Sequence, residues 1–142
     1  MRIWQRAFTP EEAMKSRAGT MMEHLGIEIT AVGDDYLSAR MPVDQRTKQP
    51  FGIMHGGASC VLAETVGSIA ASYCIDLSQV TCVGVEINTS HIKAVKEGYV
   101  IGTARPYHIG KSTHVWGIEI RDESQALVSV SRLRMAILER RG

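Results

Sequence analysis

Glu64 is the only charged residue between Gly56 and Ile75. The run around it is small and apolar, with Val61, Leu62, Val66 and Ile69 set among alanines, serines and Gly67. A helix apolar nearly all round belongs inside a fold, and a carboxylate there is costly unless it is paired or used. Just ahead, His55-Gly56-Gly57 reads as a loop that opens into this helix. Such an opening presents unpaired N–H groups and the positive end of the helix dipole. Acyl transfer needs those parts. A carboxylate can attack a carbonyl carbon or take a proton from water, while bare N–H groups hold the developing oxyanion. Gly56 and Gly57 let a substrate oxygen come close to the backbone. Ser68, four residues after Glu64, shares its helix face and can hold a water or the substrate. Each residue also has a structural reading. Glu64 can cap a loop or pair with an arginine, the glycines can form an ordinary turn, and Ser68 can bond its own backbone.

Composition narrows the setting. The 142 residues carry no linker-like stretch and read as one domain, 1–142, able to bury about 70% of its extended surface. A net charge of +1 with scattered lysines and arginines leaves no basic stripe for nucleic acid. Cys60, Cys74 and Cys82 are odd in number and without a CxxC pair, which fits reduced, buried thiols. None has a base placed beside it by sequence, so a cysteine nucleophile has no support. The five histidines show no ligand spacing, so no metal is expected. The N-terminus lacks the apolar core of a signal peptide, and Glu64 with its polar neighbours argues against a membrane span. A cytoplasmic protein is expected.

Thr9-Pro10-Glu11-Glu12 is a capping box, which predicts a helix from Pro10 to His24 or Leu25, stopped by Gly26. Strands are expected over Ile27–Val32 and Tyr36–Val43, the second with Leu37, Ala39, Met41 and Val43 on one face. Asp44–Gly57 reads as a long loop of the kind that often carries function, and Ala58–Ile75 as the central helix. Four more strands follow at Thr81–Val95, Tyr99–Pro106, Thr113–Arg121 and Ala126–Leu138. Alternation in the first puts Val83, Val85, Ile87, Thr89 and His91 on one face, and His114, Trp116, Ile118 and Ile120 share a face of the third. Six strands and one very apolar helix point to an α+β fold, a curved antiparallel sheet wrapped around the helix, with an extra N-terminal helix. One sheet cannot enclose that helix, so a second subunit is expected to close the rest.

The stretch Gln49-Pro50-Phe51-Gly52-Ile53-Met54-His55-Gly56-Gly57-Ala58 with Leu62-Ala63-Glu64 resembles the hotdog-fold acyl-CoA thioesterases of the phenylacetate-degradation and 4-hydroxybenzoyl-CoA thioesterase type. Met41-Pro42-Val43-Asp44, Gly84-Val85-Glu86-Ile87-Asn88, His91, Pro106-Tyr107-His108-Ile109-Gly110 and the Trp116 strand extend the likeness over the whole chain. It is strongest toward the enterobacterial branch that acts on 1,4-dihydroxy-2-naphthoyl-CoA in menaquinone synthesis, or on aroyl groups misloaded on the enterobactin carrier protein. The resemblance implies that Glu64 is nucleophile or general base and that the Gly56 N–H polarises the thioester carbonyl. It implies that Gln49 and His55 hydrogen-bond near the thioester. His91, with Val83 on its strand, would lie near the acyl or pantetheine part of the substrate. Lys93, Tyr107, His108, Gly110, Lys111 and Ser112 are candidates for pantetheine and phosphate contacts, although loop lysines are mostly just solvated. No cofactor is implied beyond the CoA of the substrate. Sites in this family form across a dimer, with Glu64 of one subunit facing Gln49, His55 and Gly56 of the other, and dimers often pair into homotetramers.

Two rivals remain at this level. A hotdog hydratase or dehydratase also needs a histidine and a carboxylate, but the hydratase-type motif is missing around His55. A non-catalytic acyl-CoA-binding module would have no need of Glu64.

Overall fold

The computed structural model describes residues 1–141. Two one-turn helices, α1 (Pro10–Ala13) and α2 (Met21–His24), precede strands β1 (Glu28–Val32) and β2 (Leu37–Pro42), then the long helix α3 (Gly56–Tyr73). Four strands follow: β3 (Val80–His91), β4 (Tyr99–Ile109), β5 (Thr113–Asp122) and β6 (Leu127–Glu139). All strand pairs are antiparallel, in the order β1-β2-β4-β5-β6-β3. The sheet curls around α3, as the strand count and the apolar helix require. No helix of the described residues is long and apolar enough to cross a membrane.

Small residues set the helix close to the sheet. A Cβ on Gly67 would stand 2.6 Å from Leu133 Cδ2, and one on Gly102 3.2 Å from Leu62 Cγ. Leu62, Val66, Trp116, Ile118, Ile120 and Leu133 are fully buried between the two layers. The N-terminal segment clamps the far end of α3: Phe8 stacks on Tyr73 with centroids 3.6 Å apart, and Trp4 meets Phe8 edge-on. The Gln5 N–H donates to the Tyr73 carbonyl at 2.8 Å, filling one of the acceptors a helix leaves open at its C-terminus.

Three sequence-based expectations need correction. The N-terminal helix is broken in two. Thr9 caps α1 as expected, accepting from the Glu12 N–H, but a capping box fixes only a start. Gly19 at φ +74° interrupts the chain, Thr20 begins a second turn, and Gly26 at φ +71° ends it. Helix α3 starts two residues earlier than read, because the His55 side chain caps it and draws both glycines into its first turn. Finally, β3 does not keep one alternating face. A bulge between Gly84 and Glu86 shifts the register, and an extra residue flips the faces of a strand. Ile87, Thr89 and His91 therefore share their face with Gly84 and Cys82, while Val83 turns outward, 43% exposed.

His114 lies inside the sheet, where Trp116 Nε1 donates to its Nδ1 at 3.4 Å and its Nε2 has no partner among the described residues. Burial, with His108 nearby, holds its pKa below the usual histidine range. The unfolded chain therefore takes up this proton at a higher pH than the folded one. Stability contributed by neutral His114 is full above about pH 6.5 and falls as pH drops below it. We expect His114→Gln to flatten the loss of urea stability between pH 7 and pH 5; equal slopes in the two proteins would refute this role.

Candidate active site

The loop from Asp44 to His55 is folded against the start of α3. The His55 N–H donates to the Thr47 carbonyl at 2.7 Å and the Met54 N–H to the Val95 carbonyl at 2.8 Å. His55 Nδ1 accepts from the Gly57 N–H at 2.7 Å, and the Ala58 N–H goes to the His55 carbonyl at 2.9 Å. The first N–H of the helix, that of Gly56, has no acceptor among the described residues. Because Nδ1 is taken, neutral His55 carries its proton on Nε2, which faces outward as a donor.

Gln49 is oriented in the same way. Its side-chain oxygen accepts from the Phe51 N–H, which fixes the amide and leaves its NH2 free to donate. Gln49, Gly56, Ser59 and His91 line one hollow of about 320 Å³ together with Met54 and Val128. The His91 ring lies directly against Gly56, where a Cβ would meet its Nε2 at 2.9 Å. Glycine at this position therefore admits the imidazole beside the free N–H.

Glu64 is half-buried two turns further along α3. Its Oε2 lies 2.6 Å from the place a Cβ on Gly84 would occupy, so the carboxylate rests on the bare backbone of β3. It makes no ion pair among the described residues. Ser68 lies on the same face, its Oγ 3.7 Å from Met135 Sδ. An α-helix rises about 1.5 Å per residue, so the eight residues from Gly56 to Glu64 span about 12 Å. One chain cannot bring its own Glu64 to a carbonyl held at its own Gly56.

The remaining candidates are dispersed. Lys93 borders the hollow but is held by Asp122, whose carboxyl is kept well below the usual range by that lysine, Ser124 and the Ala126 N–H. Tyr107 sits at a bulge in β4 and lies across Gly117 on the sheet's outer face. His108 belongs to β4 rather than to the connection, and Gly110, Lys111 and Ser112 form a tight turn closed by Gly110 N–H to the Thr113 carbonyl at 2.9 Å. Ser112 in turn accepts from the Ile137 N–H, and Ile137 pairs with Cys82. That turn thus lies toward the Glu64 end of α3, and His91 and Lys93 toward the Gly56 end. Val83 faces away from both. Burial and the neighbouring Cys82 push the Cys74 thiol up to about 12, so it is protonated at neutral pH and is no nucleophile.

Residues 51–129 match the Thioesterase superfamily. The chain is 48% identical over 136 residues to 1,4-dihydroxy-2-naphthoyl-CoA hydrolase of Escherichia coli, covering 96% of this chain and 99% of that protein. It is also 48% identical over 136 residues to proofreading thioesterase EntH of Cronobacter turicensis, covering 96% of this chain and 98% of that protein. A crystal structure of the Q49A mutant of thioesterase PA1618 from Pseudomonas aeruginosa superposes with a TM-score of 0.96 at 40% identity, over 97% of this chain and 99% of that one.

The seat of Glu64 gives a test that leaves its own chemistry intact. In Gly84→Ala the new methyl displaces the carboxylate, a flexible group that can move away. We expect kcat for thioester hydrolysis to drop at least tenfold with an unchanged circular-dichroism melt, and full activity in this variant would show that the resting place of Glu64 is immaterial.

Proposed function

The chain belongs to the thioesterase superfamily, with its hotdog fold, and is a thioester hydrolase; on that premise we propose that it cleaves acyl-CoA esters of flat aromatic acids at a site built by two copies. The observation that carries this reading is the free Gly56 N–H at the mouth of α3, opening on the hollow lined by Gln49 and His91. A thioester oxygen placed there meets an N–H donor at the positive end of a helix. The Gln49 NH2 and the His55 Nε2–H supply further donors for the carbonyl or the departing sulfur.

The partner's Glu64 supplies the base or nucleophile. In one route its carboxylate attacks the carbonyl carbon, the C–S bond breaks, CoA leaves as the thiolate, and water hydrolyses the mixed anhydride. In the other it takes a proton from water, whose oxygen attacks the same carbon, and the C–S bond breaks to release CoA as the thiolate. Two features support assembly. The outer edge of β3 pairs with no strand among the described residues, an exposure that proteins cover or pair. Along α3 a stripe through Val61, Glu64, Thr65, Ser68 and Ile69 remains half-exposed. The aromatic class of the acyl group rests on the likeness to the naphthoyl-CoA hydrolase. Lys111 and Ser112, near the Glu64 end, serve the nucleotide phosphates.

Thiol release over a panel of aroyl-CoA and aliphatic acyl-CoA esters tests the reading. We expect aroyl esters to be preferred, and Glu64→Gln and Glu64→Ala to lower kcat by at least a thousandfold with little change in KM. Undiminished turnover in both variants would remove Glu64 from the chemistry. Single-turnover hydrolysis in 18O-water tests the first route: label in the Glu64 carboxylate arises when water opens a mixed anhydride at the Glu64 carbonyl, whereas attack at the acyl carbon, by either route, labels the product acid alone.

A further inference from the structure

A serine inside a helix ordinarily gives its proton to a carbonyl three or four residues back. Ser72 of α3 does so, its Oγ donating to the Ile69 carbonyl at 2.7 Å. Ser68, one turn earlier, does not. Its hydroxyl crosses to the sheet and donates to Met135 Sδ at 3.7 Å. A thioether is a weak acceptor, an unusual choice for a hydroxyl with helix carbonyls beside it.

The sheet places Met135 for that contact. Alternation along β6 turns Ser131, Leu133 and Met135 inward, and all three are buried. Met135 pairs with Gly84 of β3 on one side and with His114 of β5 on the other. Thr113 Oγ1 donates to its carbonyl at 3.1 Å. Its sulfur lies 3.7 Å from the place a Cβ on Gly84 would occupy, the same place that Glu64 Oε2 approaches to 2.6 Å. One sulfur therefore borders both the seat of Glu64 and the hydroxyl of Ser68, which follows Glu64 by one turn on the same helix face.

What matters is which end of the hydroxyl is spent. A hydroxyl has one proton to donate and two lone pairs to accept with. With its O–H directed at sulfur, Ser68 offers only lone pairs to the site. Thioester hydrolysis consumes a water by either route described above, and a water has two hydrogens. Glu64 can take one of them. An acceptor beside it can hold the other, which turns a lone pair of the water toward the carbon under attack.

We propose that Met135 is a positioning residue for hydrolysis: by accepting the Ser68 O–H, its thioether makes Ser68 the acceptor that holds the second hydrogen of the attacking water beside Glu64. The inference rests on Glu64 as the group that acts on the thioester, as proposed above. Neither Ser68 nor Met135 gains or loses a proton in the step. The water's oxygen bonds to the acyl carbon, its proton passes to Glu64, and the C–S bond breaks to release the thiolate. Where Glu64 has already formed the anhydride, the bond that breaks is the one to Glu64. Without the sulfur, the Ser68 hydroxyl turns to a helix carbonyl as Ser72 does, and the water loses one of its two anchors.

The test is a double-mutant cycle on kcat for benzoyl-CoA and hexanoyl-CoA. Met135→Leu and Met135→Ile remove the sulfur at nearly constant volume, a change that cores tolerate well, and circular-dichroism melts check the fold. We expect each to lower kcat about tenfold with KM unchanged, by the same factor for both esters because the water is common to them. In a Ser68→Ala background, where no hydroxyl is left to orient, the same substitutions should change kcat by less than about twofold. An equal loss with and without Ser68, a loss that differs between the esters, or no loss at all would overturn the role of Met135. Glu64→Gln is measured alongside. Full activity in Glu64→Gln would strike the preceding reading and this one together. An inactive Glu64→Gln with additive losses at Ser68 and Met135 would strike this one alone.

Discussion

The rise of an α-helix separates the two groups proposed to carry the chemistry. About 12 Å of helix lies between the unpaired N–H of Gly56 and the carboxylate of Glu64, and both groups are fixed to it. Gly56 is held by the cap that His55 places on Gly57. Glu64 is held by its contact with the bare backbone of Gly84. Neither can slide toward the other without unwinding a helix whose inner face is fully buried. In the proposed two-copy site this spacing makes each chain half of two sites, and the half-exposed stripe of α3 and the open edge of β3 fit that arrangement.

Glycine recurs where this arrangement is tightest, for different reasons. At Gly67 and Gly102 it lets helix and sheet approach until Leu133 and Leu62 fill the space a side chain would need. At Gly84 and Gly56 it vacates room for functional groups, Glu64 in one case and His91 in the other. An alanine at the first pair would push against packed side chains, where overpacking costs about 1–3 kcal/mol. At the second pair it would displace a polar side chain instead.

The loop before α3 works by occupying one end of each polar side chain. His55 spends Nδ1 on the helix start and Gln49 spends its oxygen on the Phe51 N–H. What each leaves free is a donor. The proposed site, with donors around the thioester and the carboxylate on the opposing chain, would separate the pull on the oxygen from the attack on the carbon. The same bonds rule out His55 Nδ1 as a base, since that atom already accepts a proton donor.

Much of this was legible in residue order. The apolar run with a single carboxylate identified the central helix, the glycines after His55 marked its mouth, and alternation located all six strands and the inward face of His114, Trp116, Ile118 and Ile120. These are local signals, carried by period and by turn residues. What the sequence could not give depends on register and on contacts between distant segments. The bulge at Val85 turns Val83 outward because one extra residue reverses a strand's faces, and no composition signal announces it. His55 as a helix cap was hidden because histidine is not among the usual capping residues. The single N-terminal helix was overread because a capping box marks where a helix begins and not how far packing will support it. That Lys93 is claimed by Asp122, and that Glu64 rests on Gly84, were settled only when strands far apart in the chain were laid side by side.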